Sequence, residues 1–227
     1  MRTGILTILA YFVMCSVSYA SDVYITQSGA SLTANINQDG QTNRFGVTGT
    51  VVTLTGDNQT LDIDQVGNTN TIAASVVGAT QTLTINQAGS SNTSTVSVGA
   101  NSAADDNSII QAITGSSNTT TVNVGSSAAS SDADIDLVAT GSSNTVTINE
   151  NSTASMIGSD KKITSITAIG SSNTITSTHI GAADQDTTLH HTGSSSTFAI
   201  TQDGAHDGSV SITTVGSGHN VTVTMDD

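Results

Sequence analysis

A four-residue pattern, Gly-x-x-Asn or a close variant, returns through most of this 227-residue chain at nearly regular spacing. In the first copies glutamine precedes it, so that residues 38–43 read Gln-Asp-Gly-Gln-Thr-Asn, whereas most later copies read Gly-Ser-Ser-Asn. Successive glycines are 27, 22, 26, 26, 29, 23 and 23 residues apart. A repeat of this length indicates one supersecondary unit per copy, which buries its apolar side chains by stacking on its neighbours. The repeated glycines are Gly40, Gly67, Gly89, Gly115, Gly141, Gly170, Gly193 and Gly216.

Apolar and polar residues alternate on both sides of each glycine, which is typical of strands. The position four residues before the glycine holds Ile36, Ile63, Ile85, Gln111, Leu137, Ile166, Leu189 and Ile212. Positions five and seven after it share one strand face, because strand side chains alternate between faces. These positions hold Phe45, Ile72, Ser94, Thr120, Val146, Ile175, Phe198 and Val221, and then Val47, Ala74, Val96, Val122, Ile148, Ser177, Ile200 and Val223. The pattern predicts strand, turn and strand in every repeat.

A single repeat is not stable by itself. Its four to six aliphatic side chains contribute about 1.5–3 kcal/mol each, whereas ordering 22 residues costs about 30 kcal/mol. Stacking equivalent strands about 4.7–4.8 Å apart satisfies the backbone and joins the apolar positions into continuous columns. We therefore predict an all-β fold, an amyloid-like β-solenoid of stacked strand–arc–strand rungs of about 22–29 residues in two sheets.

Amide side chains share the inward parity of the apolar columns and are predicted to lie inside, next to the arcs. A buried amide without a partner costs about 1–3 kcal/mol, but identical amides stacked in register donate and accept along the column. The alternative is that asparagine and glutamine simply favour turns. The predicted amide ladder consists of Gln38, Gln65, Gln87, Asn43, Asn70, Asn92, Asn118, Asn144 and Asn173, and the repeated glycines permit the tight arcs.

Composition limits the classes of function. The chain has no proline, no tryptophan, and 18 acidic residues against 4 basic ones. So few cations exclude a nucleic-acid binder, because neutralising phosphates takes clusters of lysine and arginine. The scarcity of glutamate and lysine disfavours helices, whereas threonine, valine and isoleucine suit strands.

Residues 1–20 have the pattern of a secretory signal peptide. Arg2 precedes an apolar stretch at 5–17, and Ser18 and Ala20 provide the small residues that a signal peptidase reads. The stretch is shorter than the roughly 20 apolar residues of a membrane span. Cys15 lies within it, so the mature chain has no disulfide. We predict a signal peptide at 1–20 and a secreted repeat domain at 21–227 that does not span a membrane.

The repeat resembles the curlin repeat of curli, the extracellular amyloid fibres of bacteria, whose pattern is Ser-x5-Gln-x-Gly-x-x-Asn-x-Ala-x3-Gln. Residues 38–43, 65–70 and 87–92 match best, and residues 27–29 match in part. The resemblance implies a β-solenoid subunit that leaves the cell through an outer-membrane export machinery. It also implies self-assembly into a homopolymer from a nucleator, and a role in cell adhesion and biofilm matrix as a fibre at the cell surface.

The sequence departs from the curlin pattern at several positions, most of all in its second half. The first glutamine is missing after residue 87, and the last glutamine is kept at Gln202 alone. The alanine is replaced by Ile72 or Ser94.

Insertions between repeats are expected at the edge opposite the Gly-x-x-Asn arcs, and they carry most of the acid. Carboxylate and carbonyl oxygens are calcium ligands, so these loops are candidates for weak divalent-cation binding, although none has an EF-hand spacing. Solvated loops are the alternative. The negative charge is also expected to slow the stacking of one chain on another until it is screened. The insertions are residues 99–106, 125–134, 150–162, 181–186 and 203–208.

No catalytic arrangement is evident in the sequence. The serines lie in repeated turns rather than in a Gly-x-Ser-x-Gly elbow, and the five histidines lack recognisable partners. His190 and His191 are adjacent and are expected on opposite faces of a strand. We expect no enzyme, no metal site and no cofactor.

Two other functions stay open. One is a monomeric extracellular β-solenoid adhesin or phage-fibre-like protein. The other is an ice-binding solenoid that uses outward Thr-x-Thr columns, with hydroxyls about 6.6–6.8 Å apart along a strand. The ends of the stack distinguish these monomeric functions from fibre assembly, because a monomer caps its edges whereas an assembling subunit leaves them open. The bare strand predicted at 221–225 favours assembly.

Overall fold

The computed structural model describes residues 9–14, 21–40, 42–46, 51–78, 80–99, 107–125, 133–151, 161–181, 184–204 and 208–226. Within these ranges the chain forms twenty strands in two sheets. None of the described residues belongs to a helix that could cross a membrane. The strands of each sheet are parallel, and each coil of the chain adds to both sheets. The prediction of an all-β solenoid is confirmed.

The strands are numbered along the chain. Sheet 1 has the order β1 (Leu9–Met14), β4 (Thr33–Asp39), β7 (Gln59–Val66), β9 (Gln81–Ala88), β11 (Asn107–Thr114), β13 (Ala133–Thr140), β15 (Lys161–Gly170), β17 (Asp184–Ser194) and β19 (Gly208–Ser217). Sheet 2 contains β2 (Ser21–Val23), β3 (Thr26–Ser28), β5 (Thr42–Phe45), β6 (Val52–Thr55), β8 (Thr69–Val77), β10 (Ser91–Val98), β12 (Ser117–Val124), β14 (Ser143–Asn151), β16 (Thr174–Ile180), β18 (Thr197–Asp203) and β20 (Asn220–Asp226). Strand β1 lies within the predicted signal peptide.

Equivalent residues of successive repeats are direct neighbours across each sheet. In sheet 1, Ile36 pairs with Ile63 and Ile63 pairs with Ile85. In sheet 2, Val96 pairs with Val122. The same register runs to the last coil, where Leu189 pairs with Ile212. Except at β6, the offset between partners therefore follows the spacing of the repeated glycines, and the columns predicted from the sequence are continuous through these strands.

The space between the two sheets is filled by these apolar columns. Strand β4 alternates strictly between exposed and buried residues, as a strand with one interior face requires. Phe45 and Phe198 are the bulkiest fully buried side chains and stand in one column, near opposite ends of the stack. Because each rung buries its inward face against both neighbouring rungs, the core is continuous along the stack.

One predicted column position is different in the structure. Val47 lies outside the described residues, and Val52 takes the interior place beside Ala74 that was expected for Val47. Both β5 and β6 pair with β8, with offsets of 27 residues at Phe45–Ile72 and 22 residues at Val52–Ala74. Sheet 2 therefore has two separate strands, β5 and β6, in this coil, where the later coils have one.

Candidate functional site

The arc glycines lie over one another and leave no room for a side chain. A Cβ at Gly141 would lie 2.0 Å from the carbonyl oxygen of Gly115, and a Cβ at Gly67 would lie 2.1 Å from that of Gly40. The same contact recurs up to Gly216. The backbones of adjacent coils thus approach each other at the arc more closely than a residue with a Cβ would allow.

After each of the first six arc glycines the residue three positions further on is a buried asparagine, and in the first five it connects two coils. Its Nδ2 donates to the main-chain oxygen of the residue that precedes the arc glycine of the next coil. That same oxygen accepts the N–H of the arc glycine one coil earlier, as Val66 does from Gly40. The asparagine therefore reinforces the main-chain pairing at the arc. The donor and acceptor pairs, 2.7–3.2 Å apart, are Asn43 and Val66, Asn70 and Ala88, Asn92 and Thr114, Asn118 and Thr140, and Asn144 and Ile169.

Amide-to-amide hydrogen bonds add a second connection in parts of both columns. Gln65 donates to Gln38 at 2.7 Å, and Gln87 donates to Gln65 at 3.0 Å. In the asparagine column, Nδ2 of each donor lies 2.8–3.1 Å from Oδ1 of the next residue. Those donor and acceptor pairs are Asn92 and Asn118, Asn118 and Asn144, and Asn144 and Asn173.

The expectation that every interior amide is fully satisfied is wrong in the first coils. Oδ1 of Asn43, Asn70 and Asn92 has no hydrogen-bond partner among the described residues. The reason is that Nδ2 of Asn70 is occupied by two main-chain oxygens, of Gln65 at 3.2 Å and Ala88 at 3.0 Å. No donor is then left for Oδ1 of the next asparagine.

A further set of inward glutamines lies at the opposite arc and was missed from the sequence. Gln59 and Gln81 are buried and in register. Nε2 of Gln59 donates to the main-chain oxygen of Gly29 at 3.0 Å, which repeats the role of asparagine at the other arc. A Cβ at Gly56 would lie 2.0 Å from that same oxygen. The signal was present as a second motif, Gly-x-x-Gln, eleven residues out of phase with the first.

A buried polar cluster between β14 and β18 corrects the expectation that the histidines lack partners. His179 Nδ1 lies 2.5 Å from Glu150 Oε2, and both residues are almost completely buried. On the other side of the ring, Nε2 lies 2.7 Å from Ser177 Oγ and 3.1 Å from Thr187 Oγ1. Thr164 Oγ1 donates to Glu150 Oε1 at 3.2 Å.

This acid–imidazole–hydroxyl order resembles that of a hydrolase triad. Ser177 has 0 % of its surface exposed, so the hydroxyl is closed to a substrate. Glu150 was expected to begin a solvated insertion, but it instead occupies the interior column above Val124. The cluster replaces the apolar pairing of earlier coils, because Thr164 stands beside Ile135 in the column that holds leucine and isoleucine below.

A second histidine cluster lies at the C-terminal end of the stack. His191 is buried and His190 is exposed, which places adjacent residues on opposite faces. His191 Nε2 lies 2.8 Å from Asn173 Nδ2 and 2.9 Å from Ser196 Oγ. Its ring centroid lies 4.8 Å from that of His219. Burial and the neighbouring His219 imidazole lower the pKa of His191, against a raising contribution from the Gly170 backbone.

Acidic residues also occupy the outer face of sheet 1. Burial and the adjacent Asp64 carboxylate raise the pKa of Asp62. Among the described acids of the predicted insertions, Asp134, Asp184 and Asp203 are exposed. Within the described part of the chain, no group of three or more histidine, cysteine, aspartate or glutamate side chains could hold a metal ion. Five further acids of the insertions, Asp105, Asp106, Asp132, Asp160 and Asp207, lie outside the described residues.

The C-terminal coil exposes the side chains that would be interior in any other coil. Val221, Val223 and Met225 continue the apolar columns of sheet 2, yet they are 42–51 % exposed. Strands β19 and β20 end their sheets, and neither pairs with another described strand on its outer side. This open coil has unpaired backbone groups and an apolar surface of matching periodicity, which are the properties of an edge that pairs with another chain.

The outer face of sheet 2 carries threonine columns in register. Thr93, Thr119 and Thr145 are successive neighbours in one column. A parallel column, two residues further along the strands, contains Thr121 and Thr147. The first column runs from Thr71 to Thr197 and the second from Thr95 to Thr176, and alanine replaces threonine in the second column at residues 73 and 199.

In comparisons with known proteins, no family model, curated protein or solved structure matches this chain.

Proposed function

We propose that this chain is a secreted structural subunit, similar to curlin, that polymerises end to end into amyloid-like fibres for cell adhesion and biofilm matrix. The observation that supports this most is the open C-terminal coil. It presents the unpaired edges of both sheets together with exposed Val221, Val223 and Met225.

The first rung has side chains that continue the same columns. Val23 is the column partner of Phe45, and Gln27 is that of Leu54. If a second copy docks in the register of the stack, its Val23 meets Val221 and its Gln27 meets Met225. Docking would then bury apolar side chains that the isolated chain leaves exposed, at about 25 cal/mol per Å² of apolar surface removed from water.

In this proposal the net negative charge of the chain limits the rate of assembly. After removal of Arg2 with the leader, 18 acidic residues stand against Arg44, Lys161 and Lys162. Two such chains repel each other over a distance that salt shortens to about 10 Å at 0.1 M. Assembly should therefore be slow at low ionic strength, which suits a chain in transit to the cell surface, and should accelerate with added salt.

The test uses the mature chain, residues 21–227, incubated at neutral pH. We expect unbranched fibres with a meridional reflection at about 4.7–4.8 Å. Val223→Lys places a charge on the docking surface of β20 and should suppress elongation from preformed seeds. Thr222→Lys, on the outer face of the same strand, is the matched control and should elongate like the wild type.

A compact monomer that persists at high concentration would refute the fibre proposal and favour the adhesin alternative. Equal elongation by the two lysine variants would show that the C-terminal coil is not the docking surface.

Ice binding is the second candidate, because the outward threonines are in register through several coils. The columns form a regular array, about 4.7–4.9 Å across strands and 6.6–6.8 Å along them. Thermal hysteresis of the monomer, lost in Thr121→Val together with Thr147→Lys, would support this function. Absence of thermal hysteresis in the wild type would refute it.

A further inference from the structure

Two columns that hold amides in the first coils each hold an imidazole near the C-terminal end of the stack. The asparagine column continues from Asn173 to Ser196 and then to His219 in the last coil. The position held by Gln38, Gln65 and Gln87 in the first coils is held by His191 in the penultimate coil. Titratable groups thus replace neutral amides in the two coils next to the open end.

All described neighbours of His191 are groups that cannot carry a charge, except the imidazole of His219. Ala168 of β15 and Thr214 of β19 flank it in its own sheet. Asn173 and Ser196 contact Nε2, and Phe198 packs on the ring with centroids 5.0 Å apart. The remaining neighbour is the His219 imidazole. The exposed His190 and the acid Asp186 project from the outer face of the same strand.

His219 faces the open end of the stack. Both of its ring nitrogens are buried and have no hydrogen-bond partner among the described residues. The residue that a second copy would place over it is Ser21, because Ser21 pairs with Asn43 at the head of the same column. Docking would therefore enclose an imidazole that is now partly open to solvent.

We propose that the C-terminal coil, β19 and β20, is an acid-sensitive docking surface, which accepts the first rung of a second copy while the buried His191 imidazole beneath it is neutral and rejects it when that imidazole is protonated. This inference rests on the proposed function, and it names the regulation of the same surface. Protonation of His191 would place a charged ring 4.8 Å from the His219 imidazole at a buried site, removed from the water that would solvate it, and would destabilise the coil that forms the docking surface.

The lowered pKa of His191 determines whether acid stabilises or destabilises the C-terminal coil. Because the folded coil lowers the pKa of His191, it favours the neutral ring, so the stability of this coil is complete above the ordinary histidine value of about 6.5. It is lost as the pH falls below that value, since the opened coil takes up protons that the closed coil does not. Acid also reduces the overall negative charge, which favours assembly, so a matched variant is needed to separate the two effects.

The matched variant is His191→Gln together with His219→Asn, which restores the column residues of the first coils. Elongation from preformed wild-type seeds is measured at pH 7.5 and pH 5.5. We expect the wild-type rate to fall by up to about tenfold relative to the double variant at pH 5.5, because a site that must be neutral costs about tenfold one unit below the ordinary histidine value, and less where the pKa is lowered. His190→Gln, on the exposed face, should keep the wild-type profile. Identical profiles for the wild type and the double variant would overturn the inference.

Hydrogen exchange of the unassembled chain separates this inference from the proposed function. Acidification should lower the protection of amides in β19 and β20 of the wild type by about tenfold more than in the double variant, with β7 and β8 unaffected. Failure of the wild type to form fibres at pH 7.5 would refute the proposed function. Equal protection in both proteins at pH 5.5 would refute the acid sensitivity, whether or not fibres form.

Discussion

Glu150 and His179 form a buried pair whose energetic coupling can be measured by exchanging both for glutamine. The two side chains are 2.5 Å apart at Oε2 and Nδ1, and each is about 1 % exposed. The next residue in their column is Gln202. Replacing both by glutamine would therefore place three amides in succession, as the structure already has at Gln38, Gln65 and Gln87.

The expected loss of stability in each single variant depends on which polar groups the substitution leaves buried. His179→Gln leaves the Glu150 carboxyl with Thr164 as its donor, and breaking a buried pair in this way costs about 3–5 kcal/mol. Glu150→Gln leaves the His179 imidazole an amide oxygen to which it can donate, at a cost of about 1 kcal/mol. In the double variant no buried carboxyl remains. We therefore expect Glu150→Gln to destabilise the wild type but to stabilise the His179→Gln variant.

The assay is urea unfolding of freshly prepared monomer, followed by far-ultraviolet circular dichroism. With a slope of about 3 kcal/mol per M, His179→Gln should lower the midpoint by about 1–2 M, and the double variant should recover most of that loss. His190→Gln is the exposed control and should stay within about 0.5 kcal/mol of the wild type. Additive losses, in which the double variant equals the sum of the single ones, would refute the coupling.

Three further predictions concern the arcs, the amide column and the outer acids. Gly141→Ala should destabilise the fold by about 1–3 kcal/mol or more, because its Cβ would lie 2.0 Å from the Gly115 oxygen. A urea midpoint equal to that of the wild type would contradict the stacking of the arcs. Asn92→Asp should slow polymerisation and cost about 3–5 kcal/mol of stability, because it places a carboxylate against acceptor oxygens. Thr95→Ser, on the exposed face, should leave the polymerisation rate unchanged. Equal rates for the two variants would contradict the inward placement of Asn92. Asp62→Asn should raise the melting temperature at pH 7 but not at pH 3, because the raised pKa of Asp62 means that its ionisation opposes folding as the pH rises above about 3.8. A melting temperature unchanged at pH 7 would refute that assignment.

The register could be predicted from the sequence because the glycine spacing and the apolar columns both indicate it. Ile36, Ile63 and Ile85 are four residues before their glycines, and the structure pairs them. The position of the extra residues in the second coil could not be predicted, because Val47 and Val52 are both apolar and either can fill the place beside Ala74. Where a loop is absorbed depends on backbone pairing across coils, which a local pattern does not contain.

Glu150 could not be placed from the sequence for a related reason. It stands between two asparagines and begins the longest insertion, and a charged residue in such a setting is mostly exposed. Its burial depends on Thr164, fourteen residues later, and on His179, twenty-nine residues later. Each of these three residues looks ordinary in its own segment, and the stacking of their coils brings them together.

The apolar columns and the glycine and asparagine columns contribute differently to the fold, which explains why polar residues are kept inside this stack. A slip of two residues between neighbouring coils keeps the strand parity, so the apolar columns would still be buried and would oppose the slip weakly. The arcs oppose it strongly, since a slip would bring a residue with a Cβ onto a glycine that allows none, as at Gly67 over Gly40. It would also separate each asparagine from the main-chain oxygen that it reaches in the next coil. Burial thus supplies the stability, while the glycine and asparagine columns select one register. This division explains how the glutamine column can be lost after Gln87 while the register persists: the asparagines continue to Asn173 and the glycines to the last coil.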